Sequence, residues 1–330
     1  MITRPLSCSR LILAITVLST LAIWTSVTAA ERDSLKLLTI GNSFSNDALG
    51  YLPYMAEAGG KQLLVGRASI GGCSLERHAR HLNQAEAGDP KGKAYKTSHP
   101  KTGEKSDFTL PELLSAQPWD IVTLQQWSQL SFKPETFQPF ADELIAAIRK
   151  YAPTAEIVVH QTWAYREDHD FFKKDDGFTP AKMYADLTSA YKTFADGKSF
   201  RVLPVGDAFQ LARQTPRWTY TPDPKFDFEN PPAGQFPDQR TSLNVGWVWS
   251  TPAKEGSKPK FFLDAIHCNA AGKYLAGAVW YLQLFNADAL PVAYVPKALT
   301  AADTAELRPH ALAAVQAERA RIAAPAAAGN

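Results

Sequence analysis

Short apolar runs alternate with longer amphipathic segments along most of this sequence, and that alternation restricts the fold more than any other feature. The segment 135–151, for example, has apolar residues on one helical face. Strands that alternate with helices form a parallel sheet with helices on both faces. We therefore predict an α/β fold with five strand-like runs, at 35–40, 62–68, 120–124, 156–160 and 201–205.

The first 30 residues have the pattern of an export signal. Arg4 and Arg10 precede an apolar stretch at 11–24, and Val27-Thr28-Ala29 resembles a small-residue cleavage site. The stretch is short for a spanning helix. We therefore expect a signal peptide at 1–30, a periplasmic or secreted protein and no membrane span after cleavage. An uncleaved N-terminal anchor is the alternative.

The rest of the chain is expected to form one domain at 31–296, with surface insertions at 86–108 and 214–260. A C-terminal helix and a frayed tail follow at 297–330. Two of the 35 basic residues lie in the predicted signal, so the remainder has equal numbers of basic and acidic residues. There is no long basic run, so we expect no binding to nucleic acid or to anionic membranes.

Polar or glycine-rich residues follow four of the predicted strands. Ligands of an open parallel sheet bind outside the carboxyl ends of the strands, so these residues should line one crevice. The four groups are Ser43, Gly71-Gly72, Gln125-Gln126 and Thr162-Trp163.

Ser43 is the candidate nucleophile, because it lies in the tight turn after the first strand, in Gly41-Asn42-Ser43-Phe44. A serine hydroxyl needs a base to accept its proton. His267 could be that base, and Asp264, three residues earlier, could orient its ring. The alternatives are that the serine only turns the chain and that Asp264 only begins a helix.

Acyl transfer also needs hydrogen-bond donors for the developing oxyanion. The amide of Ser43 is one candidate, and the glycine turn at Gly71 and Gly72 is another, because glycine allows close backbone approach. The side-chain amide of Gln125 or Gln126 is the candidate third donor.

These motifs resemble those of the SGNH, or GDSL-type, hydrolase superfamily over about residues 35–285. Gly41-Asn42-Ser43-Phe44, Leu124-Gln125-Gln126-Trp127-Ser128 and Asp264-Ala265-Ile266-His267 resemble the DUF4886 subgroup more closely. The resemblance implies a flavodoxin-like three-layer α/β/α sandwich and ester hydrolysis without a metal or other cofactor. It implies Ser43 as nucleophile, His267 as base and Asp264 as orienter. The superfamily's Gly-x-Asn-Asp after the third strand is absent, and Gln125-Gln126 stand there instead.

We therefore expect an exported serine esterase that hydrolyses small, acetyl-type esters, with carbohydrate esters as the preferred substrates. A short-chain lipid or acyl esterase is one alternative. A noncatalytic carbohydrate-binding protein on the same fold is another, favoured by the missing asparagine.

Three neighbouring features each have two interpretations. Trp163 could form a wall of the substrate pocket or pack in the core. Cys73 and Cys268 could form a disulfide between two catalytic loops or remain buried free thiols. The aromatic residues of 214–260 could stack on sugar rings or pack on one another.

Overall fold

The computed structural model describes residues 30–174, 177–252 and 257–324. Almost all of the predicted signal peptide, at 1–29, and the end of the predicted frayed tail, at 325–330, lie outside the described residues. No helix within the described ranges is both long and apolar enough to cross a membrane.

The predicted alternation of strands and helices is present. The strands are β1 (Ser34–Gly41), β2 (Gln62–Ser69), β3 (Tyr95–Ser98), β4 (Lys105–Phe108), β5 (Ile121–Leu124), β6 (Glu156–His160), β7 (Arg201–Leu203), β8 (Asn244–Trp249) and β9 (Phe261–Cys268). The helices are α1 (Ser43–Ala48), α2 (Leu52–Ala58), α3 (Leu75–Glu86), α4 (Leu110–Ser115), α5 (Phe140–Tyr151), α6 (Phe171–Lys174), α7 (Pro180–Asp196), α8 (Val205–Arg213), α9 (Ala270–Leu284) and α10 (Ala301–Ala323).

Five parallel strands form the central sheet, in the order β2-β1-β5-β6-β7. Counted among these strands alone, the order is 2-1-3-4-5, which is the flavodoxin-like order. This confirms the predicted fold class. The strand order changes direction at β1, with β2 added on one side and β5 on the other, so the crevice at the switch point lies between the loops that follow β1 and β5.

Apolar side chains bury the central strands from both faces. In β1, the leucines at 35, 37 and 38 and Ile40 are almost inaccessible to solvent. Strands covered on both sides by helices show such nearly continuous apolar runs. One helical layer contains α3, α4 and α5, and the other contains α1, α2, α8 and α9. Helix α9 is buried around nearly its whole circumference because α1, α2, α8 and α10 pack against it.

Both predicted insertions contain ordered structure. Residues 86–108 include the antiparallel hairpin of β3 and β4, which lies beside β2. Residues 214–260 include β8, which pairs antiparallel with β9 in a separate two-stranded sheet. The aromatic rings of this region pack on one another: Trp247 stacks on Phe261, with centroids 5.1 Å apart, and Phe226 and Phe228 adjoin them.

The C-terminal helix belongs to the same core as the rest of the chain. Leu307, Ala311 and Val315 of α10 are buried against α8 and α9. The segment after residue 296 thus packs onto the helical layer that contains α8 and α9.

Candidate active site

Ser43 is the first residue of α1, directly after the buried end of β1. Asn42 caps the helix, because its Oδ1 accepts a hydrogen bond from the amide of Phe44 at 3.0 Å. A side chain at Gly41 would collide with Ser45 and Gln125, so only glycine allows this close turn. The turn presents the half-buried Ser43 hydroxyl at the carboxyl edge of the sheet.

Ser43, His267 and Asp264 form one hydrogen-bonded chain. The Ser43 hydroxyl lies 2.9 Å from Nε2 of His267, and Nδ1 of the same ring lies 2.9 Å from Oδ2 of Asp264. A carboxylate can only accept, so Nδ1 carries the proton and Nε2 is free to accept from Ser43. The amides of Ile266 and His267 also donate to Asp264 Oδ1. The two predicted motifs, 224 residues apart, therefore meet in a geometry suited to proton transfer.

The Asp264 carboxylate sets the proton affinity of the histidine. Its hydrogen bond to His267 raises the pKa of the imidazole above the ordinary value of 6.5, against the opposing effect of burial. Burial acts to raise the pKa of Asp264, but the hydrogen bonds from His267 outweigh it and hold that pKa below its usual range. Asp264 therefore remains ionised and strengthens His267 as a base.

Two contacts that the sequence did not reveal connect the end of β9, around His267, to the rest of the site. The carboxylate of Asp47, one turn after Ser43 on α1, accepts a hydrogen bond from the amide of Cys268 at 2.8 Å. On the other side, the indole of Trp163 donates to the carbonyl of Ile266 at 2.9 Å. The residues on either side of His267 are thus held from both directions.

Trp163 is completely buried, so it packs in the core and does not form a wall of the pocket. Its ring stacks between Phe44 and Phe209, with centroid distances of 4.1 and 4.8 Å. Because Phe44 adjoins the nucleophile in sequence, Trp163 supports the base of the site and cannot contact substrate.

The glycine turn lies beside the end of β1, because the amide of Ile70 donates to the carbonyl of Gly41 and the side chain of Asn42 donates to the carbonyl of Cys73. The amide of Cys73 donates to the carbonyl of Ile70, which closes a turn with Gly71 and Gly72 at its centre. Gly72 has a φ of +58°, which is accessible to glycine at little cost and is typical of the third position of such turns. Within the described parts of the chain, no acceptor binds the amides of Ser43, Gly71 or Gly72, so all three are available to a ligand.

Gln125 does not supply the expected third donor. Its side chain is buried, and its Nε2 donates to Asn42 Oδ1 at 2.8 Å and to the carbonyl of Gln126 at 3.0 Å. Its Oε1 accepts from the amide and hydroxyl of Ser45. With both amide hydrogens used, Gln125 instead fixes the N-terminal turn of α1 to the end of β5.

Gln126 is not available either. Its Nε2 donates to the carbonyl and hydroxyl oxygens of Thr136, at 2.9 and 3.1 Å. Its Oε1 accepts from the amides of Leu75 and Trp127. The physical reason is the same for both glutamines: their polar ends are needed to satisfy buried backbone and side-chain groups.

Trp127 is the residue after β5 that faces the glycine turn, and sequence reasoning did not select it. A methyl group on Gly72 would lie 3.7 Å from Nε1 of Trp127, and this indole N–H has no acceptor among the residues described. The ring is partly exposed. The only signal in the sequence was its position at the end of the Gln125-Gln126-Trp127 motif.

Comparison with known families agrees with the motifs and the fold. Residues 36–220 match the model of the domain of unknown function DUF4886. The chain belongs to this family. The family resemblance inferred from the sequence motifs is thereby confirmed.

Solved structures include a member of the same family from Bacteroides uniformis. It is 26% identical, has a TM-score of 0.63 and aligns over 86% of this chain and 95% of its own. A protein from Slackia heliotrinireducens, provisionally described as an SGNH hydrolase, is 19% identical with a TM-score of 0.43, over 76% of this chain and 99% of its own. None of the curated proteins matches this chain.

Cys73 and Cys268 are buried free thiols, which was one of the two interpretations of the sequence. Burial raises the pKa of Cys73 to about 12 and that of Cys268 well above its usual value. Neither is therefore a reactive thiolate near neutral pH.

Two further histidines near the site are neutral and buried. Burial lowers the pKa of His78 and of His160 to about 3. Nε2 of His78 donates to the carbonyl of Gly41 at 3.1 Å, and Nδ1 accepts from the hydroxyl of Tyr95. His78 therefore supports the end of β1, before Ser43, whereas His267 is the histidine that contacts Ser43 itself.

Proposed function

We propose that the protein is a serine ester hydrolase with Ser43 as nucleophile, His267 as base and Asp264 as orienter. The observation that carries this proposal is the continuous hydrogen-bonded chain from the Ser43 hydroxyl through His267 to Asp264. Its completeness disfavours the noncatalytic alternative, because a sugar-binding crevice has no need of this geometry.

In the proposed reaction, Ser43 Oγ attacks the ester carbonyl while its proton passes to Nε2 of His267. The tetrahedral intermediate collapses, and the imidazolium returns the proton to the leaving alcohol. Water then attacks the acyl-serine and gives a proton to His267. The bond between the acyl carbon and Ser43 Oγ breaks, the imidazolium returns its proton to Oγ, and the carboxylic acid leaves. Asp264 remains ionised and stabilises the imidazolium throughout.

The developing oxyanion is proposed to bind the amides of Ser43 and Gly72, with the indole N–H of Trp127 as the third donor. The available amides and the proximity of the indole to Gly72 support this assignment. Trp127 would replace the asparagine that the superfamily has after the third strand, which removes the main argument from sequence against catalysis.

The proposed substrates are small, acetyl-type esters, with carbohydrate esters preferred. Phe44, Trp163 and Phe209 fill the space behind Ser43 with stacked rings and leave no room there for a long acyl chain. Short-chain lipid or other acyl esters are the second candidate. Export, proposed from the pattern of the first 30 residues, would place the enzyme among extracellular glycans.

Covalent labelling tests the nucleophile directly. A fluorophosphonate should add once to the wild-type protein and not at all to Ser43→Ala. The same substitution should lower the rate of 4-nitrophenyl acetate hydrolysis by about 10⁴-fold or more. The control is Ser115→Ala, at an exposed serine on α4, which should label normally. Undiminished hydrolysis by Ser43→Ala would exclude the serine mechanism.

A further inference from the structure

A polar cavity of about 570 Å³ lies between β2 and the β3–β4 hairpin. Its lining includes Arg67 of β2, Lys96 of β3, and Lys105 and Asp107 of β4. Three cationic groups therefore face one carboxylate. This local excess of positive charge is notable in a chain whose basic and acidic residues are nearly balanced.

The hairpin register explains why these charges gather on one side. Lys96 pairs directly with Asp107, and Ser98 pairs with Lys105. Directly opposed residues share a face, as do residues two apart along a strand, so all four side chains lie on the same face of the hairpin. All four side chains are exposed, and Arg67, also exposed, lines the same cavity from β2.

No partner within the protein neutralises the three cations. Among the residues that the structure describes, neither Arg67 nor Lys96 nor Lys105 takes part in an ion pair or a side-chain hydrogen bond.

The cavity adjoins the nucleophile. Asn46 and Ser69 belong to its lining and are joined by a hydrogen bond of 3.0 Å. Asn46 lies three residues after Ser43 on α1, and residues at this spacing are about 5–6 Å apart on one helical face. Ser69 ends β2 immediately before the turn that contains Gly72. A ligand with its ester at Ser43 could therefore reach the cavity through a few bonds.

We propose that this cavity is a subsite for an anionic group, a carboxylate or sulfate, carried by the ester substrate near its scissile bond. The inference rests on the proposed esterase function and narrows its substrate class to acidic esters, such as acylated acidic saccharides. Arg67 would bind the carboxylate or sulfate of the substrate through its planar guanidinium, and the lysines would add positive charge.

Matched substrate pairs test the subsite. On the acyl side, 4-nitrophenyl hemisuccinate is compared with 4-nitrophenyl butyrate, and on the alcohol side, O-acetyl glucuronate with its methyl ester. The wild-type protein should prefer the anionic member of one pair by about tenfold or more in kcat/KM. One charge-assisted hydrogen bond strengthens binding by about this factor. The pair that discriminates shows which part of the substrate enters the cavity.

Variants then connect the preference to the cavity. The ratio of anionic to neutral kcat/KM should fall toward one in Arg67→Gln and in the double variant Lys96→Gln/Lys105→Gln. The matched control is Lys101→Gln, an exposed lysine between β3 and β4 outside the lining, which should keep the wild-type ratio. Equal rates within both pairs, or a ratio unchanged in both cavity variants, would overturn the proposal.

A binding measurement separates failure of the subsite from failure of the esterase mechanism. Calorimetry with Ser43→Ala protein should show glucuronate binding that weakens about tenfold when Arg67→Gln is added. If glucuronate binds this way but no ester is hydrolysed, the subsite stands and the proposed function fails. If neutral and anionic esters are hydrolysed equally well, the proposed function stands and the subsite fails.

Discussion

At the scale of single residues, the site depends on which polar atoms are free and which are already bound. Gln125 and Gln126 have the chemistry of oxyanion donors, but their amide hydrogens are used within the fold. Trp127 lies beside Gly72, and its indole N–H has no acceptor in the described parts of the chain. A residue's type therefore indicates its role only together with its hydrogen-bond partners.

The pH dependence of kcat/KM is expected to follow the protonation of His267. Protonated His267 cannot accept the serine proton, so kcat/KM should fall tenfold per pH unit below an apparent pKa above 6.5, the direction in which Asp264 shifts it. Asp264→Asn should lower that apparent pKa and reduce the rate by about 10³–10⁴-fold. The control His310→Gln, on α10, should keep the wild-type profile. An identical inflection in Asp264→Asn would contradict the assignment.

Trp127→Phe keeps an aromatic side chain but removes the pyrrole part of the indole and with it the N–H. If the indole binds the oxyanion, kcat should fall by about 10–100-fold with little change in KM, because the bond forms in the transition state. The matched control is Trp249→Phe, whose indole donates to the carbonyl of Gln235 in the distant aromatic cluster. A wild-type kcat for Trp127→Phe would remove Trp127 from the oxyanion site.

At the scale of elements, the proposed catalytic residues meet because α1 is joined to β9. Ser43 begins one element and His267 lies near the end of the other, and the hydrogen bond from Cys268 to Asp47 connects them behind the catalytic pair. Asp47 is buried, and this burial raises the pKa of its carboxyl group.

Asp47→Ala removes the acceptor for the Cys268 amide. We expect kcat to fall about tenfold as His267 loses its alignment, and the free energy of unfolding to fall by about 1–3 kcal/mol, since a buried donor is left unpaired. Asp47→Asn retains an acceptor oxygen and should restore most of both quantities. Steady-state kinetics and urea unfolding measure them, and an unchanged kcat in Asp47→Ala would show that the connection has no catalytic role.

At the scale of the whole molecule, one core supports the site from both layers and from the C-terminal helix. The loops of β1, β2 and β5 meet at the switch point of the sheet, while His267 arrives from a separate hairpin. Helix α10 stabilises this arrangement from outside by covering α8 and α9.

Leu307→Ala measures that contribution, because the side chain is completely buried. The free energy of unfolding should fall by about 2–5 kcal/mol, from lost burial and the cavity left behind, whereas the kcat of folded protein should not change. The exposed neighbour Glu306→Ala should have little effect on stability. Equal unfolding midpoints for the two variants would show that α10 is not part of the cooperative core.

The sequence by itself determined the fold class, because strand and helix periodicities are local properties of the chain. It also suggested Ser43 and the glycine turn, from their positions after predicted strands, and Asp264 and His267, from their three-residue spacing. The tertiary structure alone decided the roles of Gln125, Gln126, Trp127 and Trp163, because hydrogen-bond satisfaction and burial depend on partners distant in sequence. The cationic cavity likewise appears only when the β3–β4 hairpin folds against β2.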